Sequence, residues 1–124
     1  MRQVHLIHSD LFDELAEKDF LVVSGAMGEN ITTRKIDLLN LPKNTILKIG
    51  AKAEIQVTGL RNPCSQLESI KKGLMNAVLD KDEQGNLIRK AGIMGIVLHG
   101  GDVFVGDEIL TQLPDPPYEK LEKV

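Results

Sequence analysis

Aromatic residues are nearly missing from this chain: they make up 3% of it, with no tryptophan, one tyrosine and three phenylalanines. Aliphatic side chains must therefore fill the core. Cysteine occurs once, at position 64, so no internal disulfide can form, a usage that suits a reducing compartment. No apolar run is long enough to span a bilayer, and Met1-Arg2-Gln3-Val4-His5 lacks the apolar stretch of a secretion signal. A soluble cytoplasmic protein is the expectation. Charge of one sign is not in excess either. The net charge of −3 gives no general electrostatic reason to bind nucleic acid or an anionic membrane. What remains is 124 residues, 42% hydrophobic, which suits one domain around one core.

Short β-type patterns broken by glycine and proline dominate. Val4, Leu6 and His8 alternate with His5 and Ile7, and Ser9 or Asp10 then opens a short helix through Leu11, Phe12, Leu15 and Ala16. Gly28 to Arg34 is polar and β-prone, a strand or loop. Pro42-Lys43-Asn44 forms a turn before Ile46, Leu47 and Ile49, and Gly50 ends that strand. Ala53, Ile55 and Val57 alternate with Glu54, Gln56 and Thr58, the clearest half-buried strand. Asp80 to Asn86 is a charged hairpin tip, with no EF-hand spacing. Ile93 to Leu98 reads as a strand buried on both faces, and Gly100-Gly101-Asp102 predicts a hairpin into Val103, Phe104 and Val105. These patterns predict a mainly β fold with helices, a barrel over residues 1–112, and a Pro-containing C-terminal tail over 113–124 that is mobile or docks.

Cys64 carries the sharpest chemical signal. It closes Arg61-Asn62-Pro63-Cys64 and precedes Ser65-Gln66-Leu67-Glu68, a capping box that predicts a helix from Ser65. That helix carries Leu67, Ile70, Leu74 and Val78 on one stripe, with Gly73 interrupting it. A thiol at a helix N-terminus with Arg61 three residues upstream is biased towards thiolate, the form that attacks electrophiles and binds soft metals. The competing reading is a buried cysteine serving as a small hydrophobe. His5 and His8 have no metal-ligand spacing and read as structural; His99 reads as a solvated hairpin residue and Asp107 as a turn stabiliser.

In order along the chain stand Gly28-Glu29-Asn30-Ile31-Thr32 with Arg34, Leu41-Pro42, Gly50, Arg61-Asn62-Pro63-Cys64, Gly92-Ile93-Met94, Gly100-Gly101 and Gly106-Asp107. With these segments the chain resembles the MOSC family, the domain named after the C-terminal part of molybdenum cofactor sulfurase. The match runs from Gln3-Val4-His5-Leu6 to about Ile109. The resemblance implies a MOSC-type β-barrel whose cysteine handles sulfur or ligates molybdenum held by a pterin. Cys64 is then the catalytic or metal-binding residue, and Arg61, Arg34, Asn30 and Glu29 are the candidate cofactor-binding residues. Arg34 has a second reading, a surface ion pair with Glu29. Glu29 and Asn30 can instead fix their own loop by side-chain hydrogen bonds. No Schiff-base lysine context is present, so no PLP is expected.

Two departures from the family pattern shape the expectations. Relatives begin with a further strand and a Gly-Asp-x-His type loop before the segment matching Arg2 to His5. The resemblance therefore implies a shortened gene product or a strand supplied by a partner chain, with a homo-oligomer joined near Val4–His8 or through the tail. Lys35 also stands where the family commonly has glycine. Three functions follow: a carrier or binding domain for the molybdenum-pterin cofactor or for sulfur, serving a cofactor-synthesis protein or an acceptor molybdoenzyme; a small molybdenum-dependent oxidoreductase acting on N-hydroxylated compounds; or a non-catalytic interaction domain.

Overall fold

The computed structural model describes residues 3–20, 29–61, 72–81, 83–85 and 87–123. Eight strands and two helices occur among them: β1 (Gln3–His8), α1 (Asp10–Glu17), β2 (Ile31–Thr33), β3 (Ile46–Ile49), β4 (Ala53–Leu60), α2 (Leu74–Ala77), β5 (Leu79–Lys81), β6 (Leu87–Arg89), β7 (Ile93–His99) and β8 (Ile109–Gln112). Six of the strands form one mixed sheet in the order β2-β1-β7-β4-β3-β8, and β5 and β6 pair as a separate hairpin. The sheet is antiparallel except where β1 runs parallel to β2, with Leu6 opposite Ile31. It curls into a half-barrel. The two edges come round to one cleft, lined by Ile31–Thr33 from β2 and by the segment 103–109 that leads into β8.

Strand alternation divides the core. β4 buries Ala53, Ile55, Val57 and Gly59 and leaves Glu54, Gln56, Thr58 and Leu60 half-buried, as its period-two pattern predicts. Val4 and Leu6 of β1 pack inside the curl with Leu38, Leu47, Ile49, Ile55, Val57 and Ile93. Ile7, on the opposite face of β1, packs with Leu11, Leu15, Leu74, Val78 and Ala91. α1 is held there by Leu11 and Leu15, four residues apart, each worth roughly 1.5–3 kcal/mol of burial. Ser9 does not cap α1 with its side chain; its backbone N–H donates instead to the Thr33 carbonyl at 2.8 Å, tying the helix start to the end of β2.

Four expectations need correction. The hairpin across Gly100-Gly101 does not form: β7 lies between β1 and β4, so both its edges are taken, and residues 101–104 have no strand structure. Val103, Phe104 and Val105 are exposed, and β8 pairs with β3. β7 is fully buried only over Ile93, Met94 and Gly95, and its later residues are half-buried or exposed. The strand at Val4–His8 is not a free edge either, because β1 is flanked by β2 and β7. Finally, Gly73 has a φ of +88°, so no single helix runs through it, and α2 is one turn. The tail docks: the Lys43 N–H donates to the Glu119 carbonyl at 2.8 Å, the Leu60 N–H donates to the Glu122 carbonyl at 2.7 Å, and Leu121 enters the inner core.

Candidate functional site

β4 ends at Leu60 and hands the chain to Arg61, whose backbone N–H donates to the Gly92 carbonyl at 2.9 Å. Arg61 is thus fixed at the end of a central strand, with its side chain half-buried. Cys64, Asn62, Pro63 and the capping box from Ser65 lie outside the described residues. The covalent chain alone keeps the Cys64 Cα within about 11 Å of that of Arg61.

Beside Arg61 stands His5, buried on β1. Its Nε2 lies 2.6 Å from the Ala91 carbonyl oxygen, which can only accept, so Nε2 carries the proton. The imidazole is pushed below its ordinary range by burial. The Ala91 hydrogen bond opposes that shift, the Arg61 charge adds to it, and the Glu29 carboxylate opposes it. His5 is therefore a neutral ring near neutral pH, with the lone pair on Nδ1. The sequence treats this histidine as structural; its electrostatic link to Arg61 and Glu29 comes only from the β1–β7–β4 order.

Glu29 is 8% exposed, and neither of its carboxylate oxygens has a hydrogen-bond partner among the described residues. The ion pair with Arg34 therefore does not exist. Arg34 is exposed beyond the far end of β2 and lines the half-barrel cleft of about 460 Å³ with Lys35, Phe104 and Asp107. Asn30 fixes its loop, as its second reading has it. Its side-chain Oδ1 accepts the His5 N–H at 2.9 Å, and its own N–H donates to the His5 carbonyl at 2.8 Å. Asp107 secures a turn by accepting the Phe104 N–H at 2.8 Å. His99 is exposed, 3.5 Å from a Glu54 carboxylate oxygen.

The register sets Glu29 and Asn30 beside the start of β1 on its β2 side and Arg61 at the end of β4, two strands away. His5 lies between them and feels both charges, whereas Arg34 lies past the opposite end of β2 in the half-barrel cleft. Among the described residues no cluster of three or more His, Cys, Asp or Glu side chains could hold a metal ion. What the described residues offer is a cation at the start of the segment that carries Cys64, a neutral acceptor nitrogen on β1 and, on the β2 side of that strand, a buried carboxylate with no partner among them. Such a set suits a polar ligand with an anionic part and an N–H-donating part.

The comparisons with known proteins bear on family and fold. No curated protein sequence matches the chain. Two solved structures do: YiiM from Geobacillus stearothermophilus, with a TM-score of 0.72 and 25% identity over 88% of this chain and 53% of that one, and YiiM from Escherichia coli, with a TM-score of 0.70 and 18% identity over 94% of this chain and 57% of that one. The chain spans little more than half the length of either. The family model for the MOSC domain matches residues 1–110, nearly the whole of the curled sheet, and the chain belongs to the MOSC domain family.

Proposed function

We propose that the chain binds a molybdenum-pterin cofactor, or carries sulfur for one, with Cys64 as thiolate ligand or persulfide holder. MOSC domains are in general associated with the molybdenum cofactor. The observation that carries the reading is Arg61 at the start of the Cys64 segment, with neutral His5 standing between its charge and the unpaired Glu29 carboxylate. The residues fit the group in kind. The orphaned Glu29 carboxylate calls for donors, Arg61 is a cation for a phosphate or a pterin carbonyl, and a thiolate suits molybdenum. When bound, the cofactor supplies a soft metal centre able to exchange oxygen, sulfur and electrons.

The chain's own residues act on that ligand by binding and orienting. Arg61, fixed through its backbone to Gly92, holds the anionic part; Asn30 fixes the loop that carries Glu29; His5 stays neutral and offers an acceptor. Arg34 lines the separate cleft and is not among the residues assigned to that ligand. As a sulfur carrier, the Cys64 thiolate attacks the outer sulfur of a donor persulfide. A new S–S bond forms as the donor's breaks, and the donor leaves as thiolate. The acceptor would be a molybdoenzyme or a cofactor-synthesis protein, with the chain itself self-associating through a free sheet edge.

Expression in a cofactor-producing host tests the proposal. Purified protein should carry molybdenum and pterin fluorescence, or a cyanide-releasable sulfur, and Cys64→Ser should lose the metal or the sulfur. Native Cys64 should alkylate at lower pH than the denatured thiol. Protein with neither molybdenum, pterin nor releasable sulfur, and a thiol that titrates alike in both states, ends this reading and leaves an interaction domain.

A further inference from the structure

Four buried side-chain atoms lack a hydrogen-bond partner among the described residues, and two of them are the carboxylate oxygens of Glu29. A carboxylate cut off from water and from donors is costly unless a ligand supplies the donors. The neighbours do not. His5 is held neutral with its N–H spent on the Ala91 carbonyl, and Arg61, though near enough to His5 to shift its titration, makes no hydrogen bond to Glu29. The Asn30 side chain accepts the His5 N–H, so the residue next to Glu29 braces the loop without neutralising it.

Resting on the cofactor reading above, we infer that Glu29 receives the aminopyrimidinone edge of the pterin. The reason is the charge distribution of such a ligand. Its phosphate, its sulfur atoms and its metal–oxygen centre are all anionic or acceptor-rich, so a carboxylate repels each of them. The donors lie on the pterin, and of these the 2-amino group and the adjacent ring N–H stand side by side. They form two parallel donors at the spacing of a carboxylate's two oxygens, the same fork by which a guanidinium binds a carboxylate. Glu29 and Arg61 therefore divide the ligand, the carboxylate reading the pterin edge and the guanidinium an anionic or carbonyl group. The cationic end alone would accept any phosphate; Glu29 makes the site a pterin site.

Fluorescence titration of the full chain with two probes tests this: pterin, and lumazine, which has a carbonyl in place of the 2-amino group. Just below neutral pH, where both rings are uncharged, the wild-type chain should bind pterin about tenfold more tightly than lumazine. Glu29→Gln should reverse the order, because its amide N–H meets the lumazine carbonyl while its oxygen still accepts the ring N–H. Glu29→Asp, which keeps the charge, should bind more weakly yet retain the pterin preference and so control for folding. Equal affinities in the wild type, an unchanged ratio in Glu29→Gln, or no binding of either probe overturns the assignment of Glu29. Molybdenum and releasable sulfur in the purified protein report on the cofactor reading separately, and that reading stands or falls by them.

Discussion

Lys35 has a φ of +62° and is exposed, so it occupies left-handed backbone with no contact that calls for a lysine. For a residue with a Cβ that conformation costs roughly 1–2 kcal/mol, part of which glycine would give back as unfolded-chain entropy. Lys35→Gly should therefore raise stability by up to about 1 kcal/mol, read as a higher urea midpoint at unchanged slope. The family pattern of glycine at this position has its physical explanation in that angle. His5 supports a pH prediction. Its folded pKa is depressed by burial and by Arg61, so the unfolded chain binds the proton more readily. Its contribution to stability is complete above the unfolded value and is lost as the pH falls below it towards the folded one. The melting temperature should drop on acidification from pH ~7.5 to ~5.5. His5→Gln, which keeps a donor for the Ala91 carbonyl, should flatten that dependence; an equal slope in both proteins would mean that other groups carry it. The sequence shows Arg61 and Cys64 plainly as residues with chemistry. The resemblance singles out Glu29 as well, but not its burial, because a glutamate between Gly28 and Asn30 reads as solvated until the fold closes over it. Parity could have excluded its pairing with Arg34. Counted along β2, Glu29 falls with Ile31 and Thr33, and Arg34 with Thr32 on the opposite face.

Among the elements, the β1–β7–β4 contact is where backbone approach is closest. Gly92 precedes β7 with a φ of +101°, and a Cβ there would come within 2.1 Å of the Leu6 carbonyl oxygen. Gly92→Ala must push β7 from β1 while straining its own backbone. A loss of about 2–4 kcal/mol in chemical denaturation is expected. The variant should also lose its His5-dependent pH response, because the Ala91 carbonyl that holds the ring is the adjacent peptide. A fully stable Gly92→Ala protein would show that the loop yields freely. β1, α1, β3 and β4 are legible because each has a clean apolar period of its own. β8 is not, since Ile109 to Gln112 is mostly exposed and finds its place only through β3. The expected hairpin at Gly100-Gly101 rests on sound turn chemistry, but a turn cannot supply an edge that β1 and β4 already occupy.

At the scale of the whole molecule, the half-barrel ends in two edges, β2 and β8, and the expected self-association moves from β1 to β8. The Gly50 N–H donates to the Glu108 carbonyl at 3.0 Å, and Lys48 sits opposite Leu110. Antiparallel alternation then points the N–H and C=O of Ile109 and Thr111 outwards. The apolar side chains of Phe104, Leu110 and Leu113 are exposed on or close to that edge. Light scattering over a wide concentration range should report a dimer. Thr111→Pro should report a monomer, because it removes an outward N–H and no hydrogen bond to β3. A wild-type chain that stays monomeric at high concentration rejects pairing at this edge. Composition and strand count make the mainly β class legible, whereas the closing geometry depends on contacts distant in sequence.

Strand order also sets a timetable for synthesis. Val4 lies opposite Gly95, 91 positions later, so the N-terminal strand cannot complete its pairing until β7 has left the ribosome. At ordinary translation speeds of ~5–20 residues per second, the wait is about 5–20 s. During that interval α1 can form locally and β1 can pair only with the short β2, so Val4, Leu6 and Ile7 stay largely uncovered. The β1–β2 and β3–β4 pairs can form first, and β7 is the late strand that joins them into one sheet.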